Sequence, residues 1–119
     1  MSDSSTTSLF KTPEYRKWES GLNDVAAAAI DARLKRLQYG KKGDWRAVGD
    51  GVSELRFFGN GPGWRVYFHE SNQGMLILLL WGGDKSNQKN DVRKAKVILR
   101  VLKEQKNLLK KRSLSASKR

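Results

Sequence analysis

Apolar residues recur every third or fourth position between residues 22 and 39: Val25, Ala26, Ala29, Ile30, Leu34 and Leu37 fall on one face of a helix. Beyond Gly40 the period drops to two. Residues 44–48, 53–58, 63–70 and 75–81 then read as four strands. Gly49 and Gly51, the GNGPG turn, and Asn72, Gln73 and Gly74 punctuate them. The last strand, MLILLLW, is apolar at nearly every position, which places it mid-sheet with both faces covered. Upstream, residues 7–11 suit a short first strand. Thr12, Pro13 and Glu14 form a helix start: a capping hydroxyl, proline in the first turn, and an acid near the positive end of the dipole. That helix covers 13–20 and ends at Gly21. A final helix spans 88 to about 109. The pattern predicts an α+β fold with its helices against one face of an antiparallel meander. Residues 1–6 read as a disordered N-terminus, 7–109 as one domain and 110–119 as a flexible basic tail.

Closing the GNGPG hairpin fixes what each sheet face carries. With Phe57 opposite Trp64, Arg56 pairs with Arg65 and Glu54 with Tyr67. Leu55, Phe57, Trp64, Val66 and Phe68 make the packing face. Glu54, Arg56, Arg65, Tyr67 and His69 make the other, which reads as open and polar. Two arginines side by side on a sheet repel unless an anion lies between them, and a guanidinium fork suits a phosphate. Glu54 neutralising the pair on a merely wet face is the plainer reading. His69 at the sheet margin also has a plain reading, as a solvated side chain, and Trp45 and Trp81 suit core or partner contact as well as base stacking.

Charge sharpens this picture. The 119 residues carry a formal +12, and residues 85–119 hold 13 Lys/Arg against only Asp91 and Glu104. Such asymmetry implies an anionic partner. On the final helix Lys89, Arg93, Lys96, Arg100 and Lys103 recur at alternating steps of four and three, a continuous basic stripe beside the inward-facing Val92, Ala95, Ile98, Leu99 and Leu102. Before it, GGDKSNQ places Lys85 at the rim of the sheet, where paired glycines permit close backbone approach. The spacing is not that of a nucleotide-triphosphate loop. With no cysteine and one histidine, thiol catalysis, disulfides and cysteine-built or multi-histidine metal sites are excluded. No secretory signal pattern is visible in MSDSSTTS, and the longest apolar run is far short of a membrane span. The expected location is the cytoplasm, without membrane contact.

KWESGLNDVAAAAIDARLKRL, GDWRAVGDGVSELRFFGNGPGWRVYF and LLLWGGDKSNQKNDVRKAK, in this order, resemble the RelE/ParE toxin superfamily, in its HigB-like "addiction module killer protein" branch, over roughly residues 7–100. The resemblance implies two N-terminal helices on one face of a twisted antiparallel sheet, with a basic concave face opposite and a C-terminal helix. It further implies the toxin of a type II toxin–antitoxin pair, a metal-independent, cofactor-free endoribonuclease cutting mRNA on the ribosome, held inactive by a cognate antitoxin, often a helix-turn-helix protein. Carried onto matching positions, its cationic residues are Arg65, Arg56 and Lys85. The chain departs from the pattern in having Glu54 where lysines occur near that strand, and in having no tyrosine in the final helix. Metal-free cleavage needs a base for the 2′-hydroxyl, cations for the phosphorane and an acid for the 5′-oxygen. Arg56 and Arg65 suit the second role, His69 or Glu54 the first, and Lys85 the third or a further phosphate contact. Tyr67, Lys89, Arg93, Lys96 and Arg100 are candidate substrate contacts. Two other readings stand beside this one: a ParE-type inhibitor that acts by binding DNA gyrase, and a non-catalytic basic nucleic-acid-binding module.

Overall fold

The computed structural model describes residues 7–57, 61–71 and 74–117, with side chains along the last helix as far as Arg112. The expected disorder of residues 1–6 lies outside the described residues, as does the tip of the GNGPG turn. Strand β1 (Ser8–Lys11) leads into α1 (Pro13–Glu19) and α2 (Asp24–Gln38). A meander follows of β2 (Trp45–Gly49), β3 (Val52–Arg56), β4 (Trp64–Ser71) and β5 (Leu76–Asp84). A 3₁₀ turn (Lys85–Asn87) then opens α3 (Gln88–Ser117). The five strands lie in the order β1-β5-β4-β3-β2, antiparallel except for β1, which joins β5 in parallel. β5 is therefore interior, as its unbroken apolar run predicts.

The helix start is built as the sequence reads. Thr12 Oγ1 accepts the Tyr15 amide at 3.1 Å and donates to the Leu79 carbonyl at 2.9 Å, so one hydroxyl caps α1 and ties it to β5. The apolar face of α2 is narrower than expected. Ala26, Ile30, Leu34 and Leu37 are buried, whereas Ala29 is exposed and Val25 is 81 % exposed, because only the stripe at 26, 30, 34 and 37 reaches the sheet.

Two hydrophobic layers flank the sheet. Ile30, Leu34 and Leu37 join Tyr15, Leu55, Val66, Phe68, Ile77 and Leu79 on one side. Val52, Tyr67 and Leu80 meet Ala95 and Leu99 of α3 on the other. The helices thus occupy both faces, which corrects the expectation of helices against one face and a solvent-open polar face opposite. α3 carries its own apolar stripe, and Val52, Leu78 and Leu80 give it a surface to cover. It also continues beyond Leu109 to Ser117. No helix among the described residues is long and apolar enough to cross a membrane.

Candidate functional site

The hairpin register is the one the sequence dictates: Glu54 lies opposite Tyr67 and Arg56 opposite Arg65. What covers them differs. Glu54 is completely buried. Its carboxylate accepts from Arg46 Nε at 3.0 Å, Tyr67 Oη at 3.1 Å and Gln88 Nε2 at 2.7 Å, with Arg56 Nε at 4.0 Å. A lone buried carboxylate would cost several kcal/mol, and these donors offset it. One side chain so joins β2, β3, β4 and the first turn of α3. Tyr67 is likewise wholly buried, and burial, reinforced by the Glu54 carboxylate, holds its hydroxyl well above the ordinary tyrosine range. It remains a proton donor to Glu54. It has no exposed surface to offer a substrate, which corrects its expected place on an open face.

Arg65 is only 6 % exposed. Its Nη1 donates to the carbonyls of Gly63 at 2.9 Å and Trp64 at 3.2 Å, while Nε has no hydrogen-bond partner among the described residues. The turn that holds it depends on glycine. Gly63 sits at φ 78°, and a Cβ there would lie 3.2 Å from the Lys85 stem and 3.4 Å from Arg65 Nη1. Arg65 and Lys85 therefore converge at the mouth of the β4–β5 ladder, with Arg56 beside Arg65 in the neighbouring strand. Asp84 closes this corner. The Ser86 hydroxyl foremost, then the Ser86 amide and the nearby Arg65 charge, hold its carboxyl below the usual range.

The glycine pair of GGDKSNQ serves packing. A Cβ on Gly82 would collide with the Trp18 ring, and one on Gly83 with the Asp91 carboxylate on the other face. Close approach is real, but its beneficiaries are α1 and α3, not a bound phosphate. Asp91 is 4 % exposed and accepts Trp81 Nε1 at 2.9 Å. Burial raises its carboxyl above the normal range, against the opposing effect of that indole bond.

Further along α3, Lys89, Arg93 and Lys96 form one wall of a groove of about 590 Å³, with Val92 at its base. Arg46, Ala47 and Val48 of the outermost strand form the opposite wall. Arg100 and Lys103 continue the exposed stripe past the groove. His69 lies elsewhere. Its Nδ1 is 2.6 Å from the Gly51 carbonyl, and since a carbonyl only accepts, Nδ1 carries the hydrogen and Nε2 is left as the free ring nitrogen. Four residues along β4 separate it from Arg65 by about 13 Å.

Arg46 and Arg33 escaped the sequence reading. Arg46 has a detectable signal, since in β2 it alternates in phase with Val48 and pairs directly with Glu54. Arg33 has none in its helical period. It donates to the Arg56 carbonyl at 3.0 Å and the Lys42 carbonyl at 3.1 Å, and its guanidinium lies 4.8 Å from the Phe57 ring centroid. It holds the backbone of Arg56 from beneath.

This architecture, a five-stranded sheet with an N-terminal helical pair and a long C-terminal helix, is the RelE-like fold. It superposes on a double mutant of the Escherichia coli toxin RelE in the free state with a TM-score of 0.58, at 10 % identity, covering 74 % of this chain and 96 % of that one. Against the toxin–antitoxin complex RelBE2 of Mycobacterium tuberculosis the TM-score is 0.50, at 15 % identity over 67 % of this chain and 99 % of the other. At these identities the likeness is one of fold. In sequence, the chain is 44 % identical over 98 residues to an uncharacterised protein of Haemophilus influenzae, covering 82 % of this chain and 97 % of the relative, and it belongs to the same family as that protein. No protein-family model matches it.

Proposed function

We propose that this protein is the toxin of a type II toxin–antitoxin pair, of the HigB-like branch, and that it cleaves mRNA on the ribosome without a metal. The observation that carries this reading is the arrangement of Arg65. Its guanidinium is fixed by two main-chain carbonyls beside Arg56 and Lys85, and its Nε is buried with no acceptor among the described residues. Cations preorganised where charge develops are usually the largest contribution to such a reaction. In this scheme Arg56 and Arg65 hold the scissile phosphate, and Lys85 supplies the proton to the departing 5′-oxygen. Lys89, Arg93, Lys96 and Arg100 contact flanking phosphates. Glu54, engaged by three donors, orients the arginines rather than acting as base. His69, about 13 Å along β4, is too far from Arg65 to share one phosphodiester with it, so in this scheme the 2′-hydroxyl proton leaves to solvent water as that oxygen attacks phosphorus and the bond to the 5′-oxygen breaks. The partners are mRNA, the ribosome and a cognate antitoxin of helix-turn-helix type, acting in the cytoplasm.

The test is primer extension on a translated message in a purified bacterial translation system. Wild type should cut only when ribosomes are present, and Arg65→Ala should lose on the order of 100-fold or more in rate. Full activity in the variant would sink the assignment of the site. One observation favours a second reading, a ParE-type gyrase inhibitor acting by binding: α3 covers Glu54 and Tyr67, leaving little of the sheet face exposed. Intact mRNA together with loss of supercoiling activity would select it.

A further inference from the structure

We propose that α3 is also a self-association helix: two copies of this chain pair antiparallel along the apolar side of its distal half. This association goes beyond RNA cleavage and does not rest on it.

Past Leu102 every residue of α3 as far as Arg112 is exposed, a free length of about 15 Å. A helical stretch of that length with nothing packed on it draws no stability from tertiary contact. Yet Leu108 and Leu109 stand on it at 59 % and 64 % exposure. At 3.6 residues per turn Val97, Ile98, Val101, Leu102, Leu108 and Leu109 fall within about 140° of arc, and Lys103, Lys106, Lys110 and Lys111 fall outside it. The cationic side suffices for a polyanion, which has no use for the leucines.

The apolar side does not end on the helix. It turns toward β1, where Ile98 and Leu102 pack in the same cluster as Leu78 and Trp81. Phe10, paired with Leu78 across the β1–β5 ladder, is 49 % exposed beside them. A cavity of about 370 Å³ lies here, with Trp81, Val97, Ile98 and Glu14 among its walls. A concave strip of this kind admits a helix and not the flat face of a bilayer.

The strip is symmetric about Gln105. Val101 and Leu102 precede it by four and three residues, and Leu108 and Leu109 follow it by three and four. A two-fold axis at Gln105 therefore sets Val101 and Leu102 of one copy level with Leu109 and Leu108 of the other, apolar against apolar in both halves of the contact. The two uncharged Gln105 side chains meet at the centre, and the lysines stay on the outer sides. The same axis brings Arg112 of the second copy level with Ile98, at the cavity that holds Glu14. The one cation inside the apolar arc thereby meets an acid. From Val97 to Arg112 the contact runs about 24 Å, at the low end of interface sizes, which sets the expected Kd in the micromolar range.

Sedimentation equilibrium of the full-length protein, freed of nucleic acid, measures the association directly. The expected result is a monomer–dimer equilibrium that tightens about threefold or more between about 0.05 and 0.5 M salt, because screening relieves the repulsion between two chains of formal charge +12. Leu108→Glu/Leu109→Glu should weaken it about tenfold or more. Both side chains are exposed, and matching circular dichroism of dilute wild type and variant certifies the fold. The chain has no cysteine, so single cysteines report the register. Oxidised Gln105→Cys should give a disulfide-linked dimer, whereas Lys103→Cys, on the other side of the helix, should not. A monomer at every concentration, unchanged association in the leucine variant, or linkage through Lys103→Cys as readily as through Gln105→Cys would overturn the proposal. So would a chain that stays monomeric while cosedimenting with phosphatidylglycerol vesicles, which assigns the strip to a lipid surface. None of these outcomes alters the ribosomal cleavage assay, so the two ideas fail separately.

Discussion

At residue level the informative contrast is between Glu54 and Arg65. Both sit on the same sheet face and both are nearly inaccessible, yet one is saturated with partners and the other is held with a donor to spare. Glu54→Ala would leave Arg46 and Arg56 without their shared carboxylate and the Tyr67 hydroxyl without an acceptor. We expect it to lower unfolding free energy by about 3–5 kcal/mol, the range for breaking a buried ion pair, measured by urea denaturation. Tyr67→Phe removes only one of the donors and should cost nearer 1 kcal/mol. Asp91 gives a pH-dependent case. Its folded-state carboxyl titrates above the unfolded one, so its contribution is most favourable below the unfolded value and is lost as pH rises through the folded value. Asp91→Asn retains an acceptor for Trp81 Nε1 and should be more stable than wild type at neutral pH. That advantage should shrink as pH falls below the carboxylate range. An advantage that grows on acidification would contradict the buried-carboxyl account.

These residues also show what a sequence can reveal at this scale. The pairing of Arg56 with Arg65 and of Glu54 with Tyr67 was legible, because a hairpin with one apolar face admits a single register. The roles of Arg33 and Gln88 were not. Each acts on a residue distant in sequence, Arg33 on the main chain of Arg56 and Gln88 on the carboxylate of Glu54, and neither contact leaves a periodic trace.

Among the elements, α3 changes the reading most. Its inward stripe was evident from Val92, Ala95, Leu99 and Leu102, but the stripe alone does not say which sheet face receives it. The deciding feature is the second apolar set of β3 and β5, Val52, Leu78 and Leu80, on the face opposite α2. The continuous hydrophobicity of β5 already demanded a cover on both sides, and α3 is the second cover. Its seat depends on Gly83. Gly83→Ala drives a methyl into the Asp91 carboxylate and should cost about 1–3 kcal/mol, by overpacking. Combined with Asp91→Gly, which vacates that space, the two losses should be less than additive in a double-mutant cycle of denaturation midpoints. Strict additivity would show that the close approach is not what makes the glycine necessary.

For the molecule as a whole, charge and shape run along the same line. The chain extends 59 Å in its longest dimension against 25 Å in its shortest, and the outer part of α3 carries exposed Lys103, Lys106, Lys110, Lys111 and Arg112. Formal charge is nearly balanced before residue 85 and strongly positive after it. Binding to a polyanion should therefore weaken steeply with salt. Replacing Arg100, Lys103 and Lys110 with glutamine should lower the magnitude of the log–log salt slope by about 2–3 in a titration with a labelled RNA, since each phosphate contact contributes about 0.7–0.9. An unchanged slope would remove the stripe from the interface. The charge asymmetry was plain in the sequence. The groove it helps to form was not, because its second wall belongs to β2, whose five residues carry a single cation.

The two glycines at the end of β5 have a mechanical meaning as well as a steric one. Trp18 rests on one side of the strand and Asp91 on the other, at successive positions with no side chain between. Over most of the sheet, two side-chain layers insulate α1 from α3; here a single peptide plane separates them. The spot acts like a thin diaphragm, and a push on either side is delivered to the other without a cushion. Trimming Trp18 to leucine should then loosen the second turn of α3, seen as faster amide exchange at residues 91–95, although no part of α1 lies on that face.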